Sequence, residues 1–248
     1  MEVKSDPAGR LCDLLQAAKA KHDNTKVRAV WASVFGVEES DTGAILRMLS
    51  DLIQISYKTK DRILQLENIE HSLYLKPFQN IERLFSQINL EAQWQASKRC
   101  LDEPTIYGLK FCSDQLSREL GISKIEHSEI EALQNAVNEL TEEVLKLDFE
   151  PSLKAILVRN LESLRAALLA YRIKGIEGIE TELELSYGSL ILNKKKVSEA
   201  ASESTKKKNF LAKYLPFLEG INKTVNTAKN IDQASGNALS KILGLESG

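Results

Sequence analysis

Ser128-Glu-Ile130-Glu131-Ala-Leu133-Gln-Asn-Ala-Val137-Asn-Glu-Leu140-Thr-Glu-Glu-Val144-Leu-Lys-Leu147 is the stretch that decides the fold, together with Asp-Phe-Glu150-Pro151 and the patterned run to Tyr171 that follows it. Its apolar residues Ile130, Leu133, Val137, Leu140, Val144 and Leu147 are spaced 3, 4, 3, 4 and 3 apart, which is one face of a helix. Ser128-Glu-Ile-Glu131 has the form of a capping box, where the hydroxyl and the carboxylate satisfy amides that a helix start leaves open. Pro151 opens a second helix, since its fixed φ suits the first turn and its missing N–H is no loss there. Leu153, Leu157, Leu161, Leu164, Leu168 and Tyr171 form its stripe, which passes Gly175 to Ile179 and Leu183. Gly175 and Gly178, three apart, are expected to let another helix approach closely, with a helix break as the other reading.

Working outward, the same period recurs. Asp6-Pro7 caps a helix with Leu11, Leu14, Leu15 and Ala18, and Thr25 opens one through Val27, Val30, Trp31 and Val34 to Gly36. Asp41-Thr42 starts a longer helix, with Ile45, Leu46, Leu49, Leu52, Ile53, Ile63, Leu66, Ile69 and Leu73 on its apolar side, expected to end near Lys76 because Pro77 follows. Shorter helices are expected at about 77–87, 90–101 and 104–120. Glu182-Leu-Glu-Leu-Ser-Tyr187 alternates like a strand for six residues, but lies inside a helical stretch and reads as helix. With 43% hydrophobic and 27% charged residues and only 12 Gly and 5 Pro, the composition suits long helices with few turns. The fold class is all-α, an irregular multi-helix bundle with long helices in its C-terminal half.

Charge divides the chain. Residues 1–193 hold 23 Lys+Arg against 30 Asp+Glu, whereas 194–248 hold 10 Lys against 5 acids. The expected organisation is an acidic helical body over 1–193, a basic flexible linker over 194–209 and an amphipathic helical tail over 210–248. The linker expectation rests on its Lys, Ser, Glu, Ala and Thr content, too polar to offset its ordering cost. In the tail, Pro216, Gly220 and Gly236 favour two or three helical pieces over one rod. The candidate interaction residues are Lys206, Lys207 and Lys208 with Phe210, Leu211, Tyr214, Leu215, Phe217 and Leu218; Glu177, Glu180 and Glu184, on one helical face, form a possible docking strip for the lysines.

Catalytic and metal motifs find little footing. Asp41-Thr42-Gly43 matches an aspartic-protease triplet, but it occurs once, at a helix cap. None of His22, His71 and His127 has a Glu three residues before it, as a di-metal bundle needs, and no phosphate-binding loop is present. No catalytic residue, cofactor or metal is therefore assigned. Cys12, Cys100 and Cys112 lack ligand spacing and read as reduced, buried thiols of a cytoplasmic protein. The start of the chain shows no secretory signal pattern. The tail has no arginine, which disfavours nucleic-acid reading. The expectation is a non-enzymatic interaction or regulatory protein, whose tail docks on a protein partner, on a second copy or on its own helical body. The alternative is a membrane-acting effector of toxin or defence type, bound to anionic lipid through Lys206–Lys208 and Phe210, Tyr214 and Phe217.

Overall fold

The computed structural model describes residues 3–120 and 125–229; 80% of them are helical and no strand is present among them. The chain divides into two compact units, Met1–Ile122 with Arg172–Gly175, and Ser123–Tyr171 with Ile176–Gly248.

The first unit contains α1 (Pro7–Lys19), α2 (Val27–Phe35), α3 (Thr42–Leu64), α4 (His71–Ser86), α5 (Trp94–Lys98) and α6 (Glu103–Leu120). α1 lies at its centre, packed on α2, α3 and α6, and α4 rests on α3 and α6. Leu11, Leu15, Trp31, Ile45, Leu52, Ile63, Phe78, Ile81 and Trp94 fill the interior. The edge of one tryptophan meets the other, with Trp31 and Trp94 ring centroids 5.6 Å apart. α1 begins as its sequence dictates: the buried Asp6 carboxylate accepts from the Gly9 amide at 2.6 Å and from the Ser113 hydroxyl at 3.0 Å. Asp41 likewise caps α3 by accepting from the Ala44 amide at 2.8 Å, so the Asp-Thr-Gly triplet is a helix start.

α3 stops twelve residues earlier than its pattern suggests. The break falls at 65–70, where Asn68 takes a left-handed φ of 60° and His71 Nε2 bonds the Leu66 carbonyl at 2.9 Å. Pro77 sits inside α4 instead of ending a helix. Its ring is buried against Gly108 of α6, whose missing side chain leaves the room. The expected helix over 90–101 is reduced to the five residues of α5.

α7 (His127–Lys146), α8 (Pro151–Leu169) and the single turn α9 (Tyr171–Lys174) follow, then α10 (Ile176–Leu192), α11 (Lys194–Glu203) and α12 (Thr205–Ala228). In the second unit α8 packs against α7 and α10, while α12 packs on α7, α10 and α11. The capping box of α7 forms two residues before the expected one, between Glu126 and Glu129, because a glutamate carboxylate reaches the N3 amide as a serine hydroxyl does. The run Glu182–Tyr187 is helical, within α10.

Four further readings differ. Gly175 has φ of +67° and separates α9 from α10, so it breaks the helix, and what comes close to it is the Arg10 side chain. Gly178 is a half-buried interior residue of α10. Residues 194–209 hold α11 and the start of α12 where an unstructured linker was expected: Val197 and Ala200 are buried, which is enough to seat a short polar helix on its neighbour. The division between compact units accordingly falls near residue 122, not at 193. α12 continues through Pro216 and Gly220 as one helix, because both face outward while Phe210, Leu211, Tyr214, Leu215, Leu218, Ile221 and Val225 bury a continuous stripe. Gly236, Leu239 and Ile242 lie outside the described residues.

Candidate functional site

The candidate site is the C-terminal basic segment, whose described residues, 194–229, lie mainly on α11 and α12 of the second unit. Phe210, Leu211, Tyr214, Leu215 and Leu218 are buried and Phe217 is half-buried. Phe210 meets the edge of Phe149 at 5.6 Å and stacks on Tyr214 at 5.8 Å; the Tyr187 hydroxyl donates to the Leu218 carbonyl at 3.1 Å. The apolar face of the described part of the tail, residues 210–229, is thus core of its own unit.

The lysine triplet is split by the helix. Lys207 is buried, its stem against Phe149 with Nζ 5.7 Å from the ring centroid, and its ammonium reaches Glu203 at 2.7 Å. That is snorkelling, with the chain covering apolar surface and the charge led outward. Lys206 and Lys208 are exposed, as are Lys213 and Lys223 further along α12 and Lys194, Lys195 and Lys196 on α11. A shallow groove of about 440 Å³ runs between α7 and α12, lined by Glu143, Leu147, Lys206, Asn209, Ala212 and Lys213. Pro216 has no N–H to give to the Ala212 carbonyl at this groove.

The acidic partners of the tail lie mostly elsewhere than the sequence suggested. Of the proposed strip, Glu180 pairs with Lys229, Glu177 is half-buried on the first turn of α10, and Glu184 is exposed and forms no ion pair among the described residues. The lysines instead reach α7 and the start of α8. Lys213 bonds both carboxylate oxygens of Glu143, at 2.9 and 3.2 Å, and Lys196 lies 3.6 Å from Glu150. Glu150 also caps α8 by accepting from the Ser152 and Leu153 amides; the Ser152 hydroxyl bond above all, then these amides and Lys196, holds its carboxyl at about 2. Sequence spacing aligns residues along one helix and is silent on which helix comes next to it, so Glu143 and Glu150 could not be found that way.

Inside the unit, Asn160 donates to the Ser189 hydroxyl at 2.8 Å, and that hydroxyl donates to the Ser186 carbonyl at 2.9 Å. The fully buried Tyr214 hydroxyl stands beside Asn160 but makes no hydrogen bond of normal geometry; burial pushes its phenol far above the ordinary range. Burial also raises the Cys12 thiol to about 11 and the Cys112 thiol to about 12. Among the described residues no group of three or more His, Cys, Asp or Glu is placed to hold a metal ion, and no helix is long and apolar enough to cross a membrane.

No family model, no curated protein and no solved structure matches the chain.

Proposed function

We propose that the protein is a non-enzymatic helical interaction protein that binds an acidic protein surface through the outward face of α11 and α12. One observation carries this reading: the apolar side of α12 is consumed by its own unit, while Lys206, Lys208, Lys213 and Lys223 remain exposed on the other side. Exposed lysines spread over the outward half of α12, with Lys206 and Lys213 beside a shallow groove, suit a charged, reversible contact whose orientation and rate are set by electrostatics. Of the aromatic residues that would enter a lipid interface, Phe210 and Tyr214 are buried and become available only if α12 leaves the unit, while Phe217 is half-buried.

The test combines three probes with the full chain at low and high salt: a Glu-rich helical peptide, vesicles containing phosphatidylserine, and duplex DNA. Salt-sensitive binding of the peptide, lost on changing Lys206, Lys208, Lys213 and Lys223 to Glu, supports the proposal. Vesicle flotation with dye leakage moves the function to membranes, and tighter binding of DNA than of the peptide moves it to nucleic acid.

A further inference from the structure

α3 carries a second apolar row, beside the stripe that it buries in its own core. Leu46, Tyr57 and Leu64 are 51%, 55% and 52% exposed, and Ile53 between them is half-buried. Steps of 7, 4 and 7 residues, at about 100° each, return to the same face within about 20°. Single exposed apolar residues need no explanation, but four aligned along one 23-residue helix mark a contact surface. Lys60, at the margin of the row, is drawn aside: its Nζ pairs with Glu82 of α4 at 2.5 Å and lies 5.7 Å from the Tyr57 ring centroid.

The row is symmetric about its own middle. Leu46 and Leu64 are equally far from residue 55, and so are Ile53 and Tyr57. Along one flank run Arg47, Gln54 and Asp61 at intervals of seven, all exposed, symmetric about Gln54 in position and opposite in charge at the two ends. Among the described residues neither Arg47 nor Asp61 has an ion-pair partner.

We propose that this face is the docking site for a second copy of the same chain, with α3 antiparallel to the partner's α3 about a two-fold axis near residue 55. A two-fold perpendicular to the plane of the two helices sets each flank against its own copy and reverses the chain direction. Leu46 then meets the partner's Leu64, Ile53 meets the partner's Tyr57, and Gln54 lies across from the partner's Gln54. Arg47 faces the partner's Asp61, and Asp61 faces the partner's Arg47. A different protein would not require the row to be symmetric about one of its own residues, nor the flank charges to be complementary to themselves. This pairing is independent of the lysine face of α12 and uses the first unit alone.

One helix pair falls below a standard interface in area, so the expected dimer is weak, with a dissociation constant of about 10 µM to about 1 mM. Sedimentation of the full chain over about 1 µM to about 1 mM reads it. Arg47→Glu and Asp61→Arg, each alone, should weaken self-association about fivefold or more, since each sets two like charges against each other. The double variant R47E/D61R should recover it, and the two single variants mixed should associate with each other better than either does with itself. Leu46→Asp should abolish association, with circular dichroism unchanged because the site is exposed. A chain that stays monomeric to 1 mM, a dimer insensitive to R47E and L46D, or a double variant that fails to recover overturns the proposal. So does an R47E variant that dimerises as well as the unaltered chain, which is the behaviour of a parallel pair.

Discussion

The Arg10 guanidinium stands where a side chain at residue 175 would begin: a Cβ on Gly175 would come within 2.7 Å of Arg10 Cζ and Nη1. The buried arginine donates from Nε to the Ile173 carbonyl at 3.0 Å and from Nη1 to the Lys4 carbonyl at 3.1 Å and to the Ser5 carbonyl. Its charge is held by backbone oxygens, which ties residues 172–175 to the start of α1 inside the first unit. The left-handed φ of Gly175 adds a second reason for glycine there. Gly175→Ala should therefore lower the stability of the first unit by about 2–3 kcal/mol. Both tryptophans of the chain, Trp31 and Trp94, lie in that unit, so urea unfolding followed by their fluorescence measures it. A loss under about 0.5 kcal/mol, within the range of an ordinary surface substitution, would show that the guanidinium yields without penalty.

The helical character of the chain was legible because periodicity is a local property. The stripes of α1, α7 and α8 and the caps at Asp6 and Asp41 need only a few neighbouring residues, and they fold as the pattern indicates. What depends on the neighbouring helix was not legible. Pro77 reads as a stop until Gly108 is known to lie beneath it. Leu46 and Ile53 read as core because the sequence shows an apolar residue without showing which side is already filled; the structure buries Ile45, Leu49 and Leu52 and leaves Leu46 outside. In the tail, composition singled out the lysines. It could not reveal that Val197 and Ala200 dock α11, or that Lys207 differs from Lys206 and Lys208 by lying over Phe149.

The Pro77–Gly108 contact makes a paired test. A Cβ at residue 108 would fall 2.9 Å from Pro77 Cγ, and a pyrrolidine ring cannot rotate away. Gly108→Ala gains about 1 kcal/mol of helix propensity yet should be destabilising overall by about 1–2 kcal/mol, since overpacking outweighs the gain. Pro77→Ala in the same chain removes the clash and should restore stability to at least that of the unaltered protein. Additive effects in the double variant, read by tryptophan fluorescence, would show that the two residues are not coupled.

Tyr214 offers the opposite sign. Its ring is fully buried and its hydroxyl makes no regular hydrogen bond, so the hydroxyl loses its water without replacement. Tyr214→Phe keeps the stacking on Phe210 and should stabilise the second unit by about 1 kcal/mol. By contrast, Leu215→Asp places a charge in the same interior and should cost roughly 3 kcal/mol or more. Thermal unfolding by circular dichroism separates the two. A Tyr214→Phe variant less stable than the parent would mean that the hydroxyl bonds Asn160 or a buried water in solution.

The cysteines give a prediction in pH. Burial raises Cys12 from 9.0 to about 11 and Cys112 to about 12, with the Asp13 charge adding to the former. Only the thiolate attacks a disulfide reagent, and at pH 8 its share at Cys12 is about one in a thousand, in a site closed to solvent. Labelling of the native protein with a chromogenic disulfide should proceed at the rate of unfolding, while denaturant should release all three thiols at once. The sign of the linkage follows from the same shift. The folded state keeps its protons where the unfolded state loses them, so the contribution is full below pH 9 and declines as pH rises from about 9 towards 11 and 12. Between pH 8 and pH 10.5 the unaltered chain should thus lose more stability than Cys112→Ala, even though the variant starts lower because of the cavity it leaves. Equal losses in the two proteins, or rapid labelling of Cys12 or Cys112 at pH 8, would mean that the interface of α1 with α6 opens far more often than its packing implies.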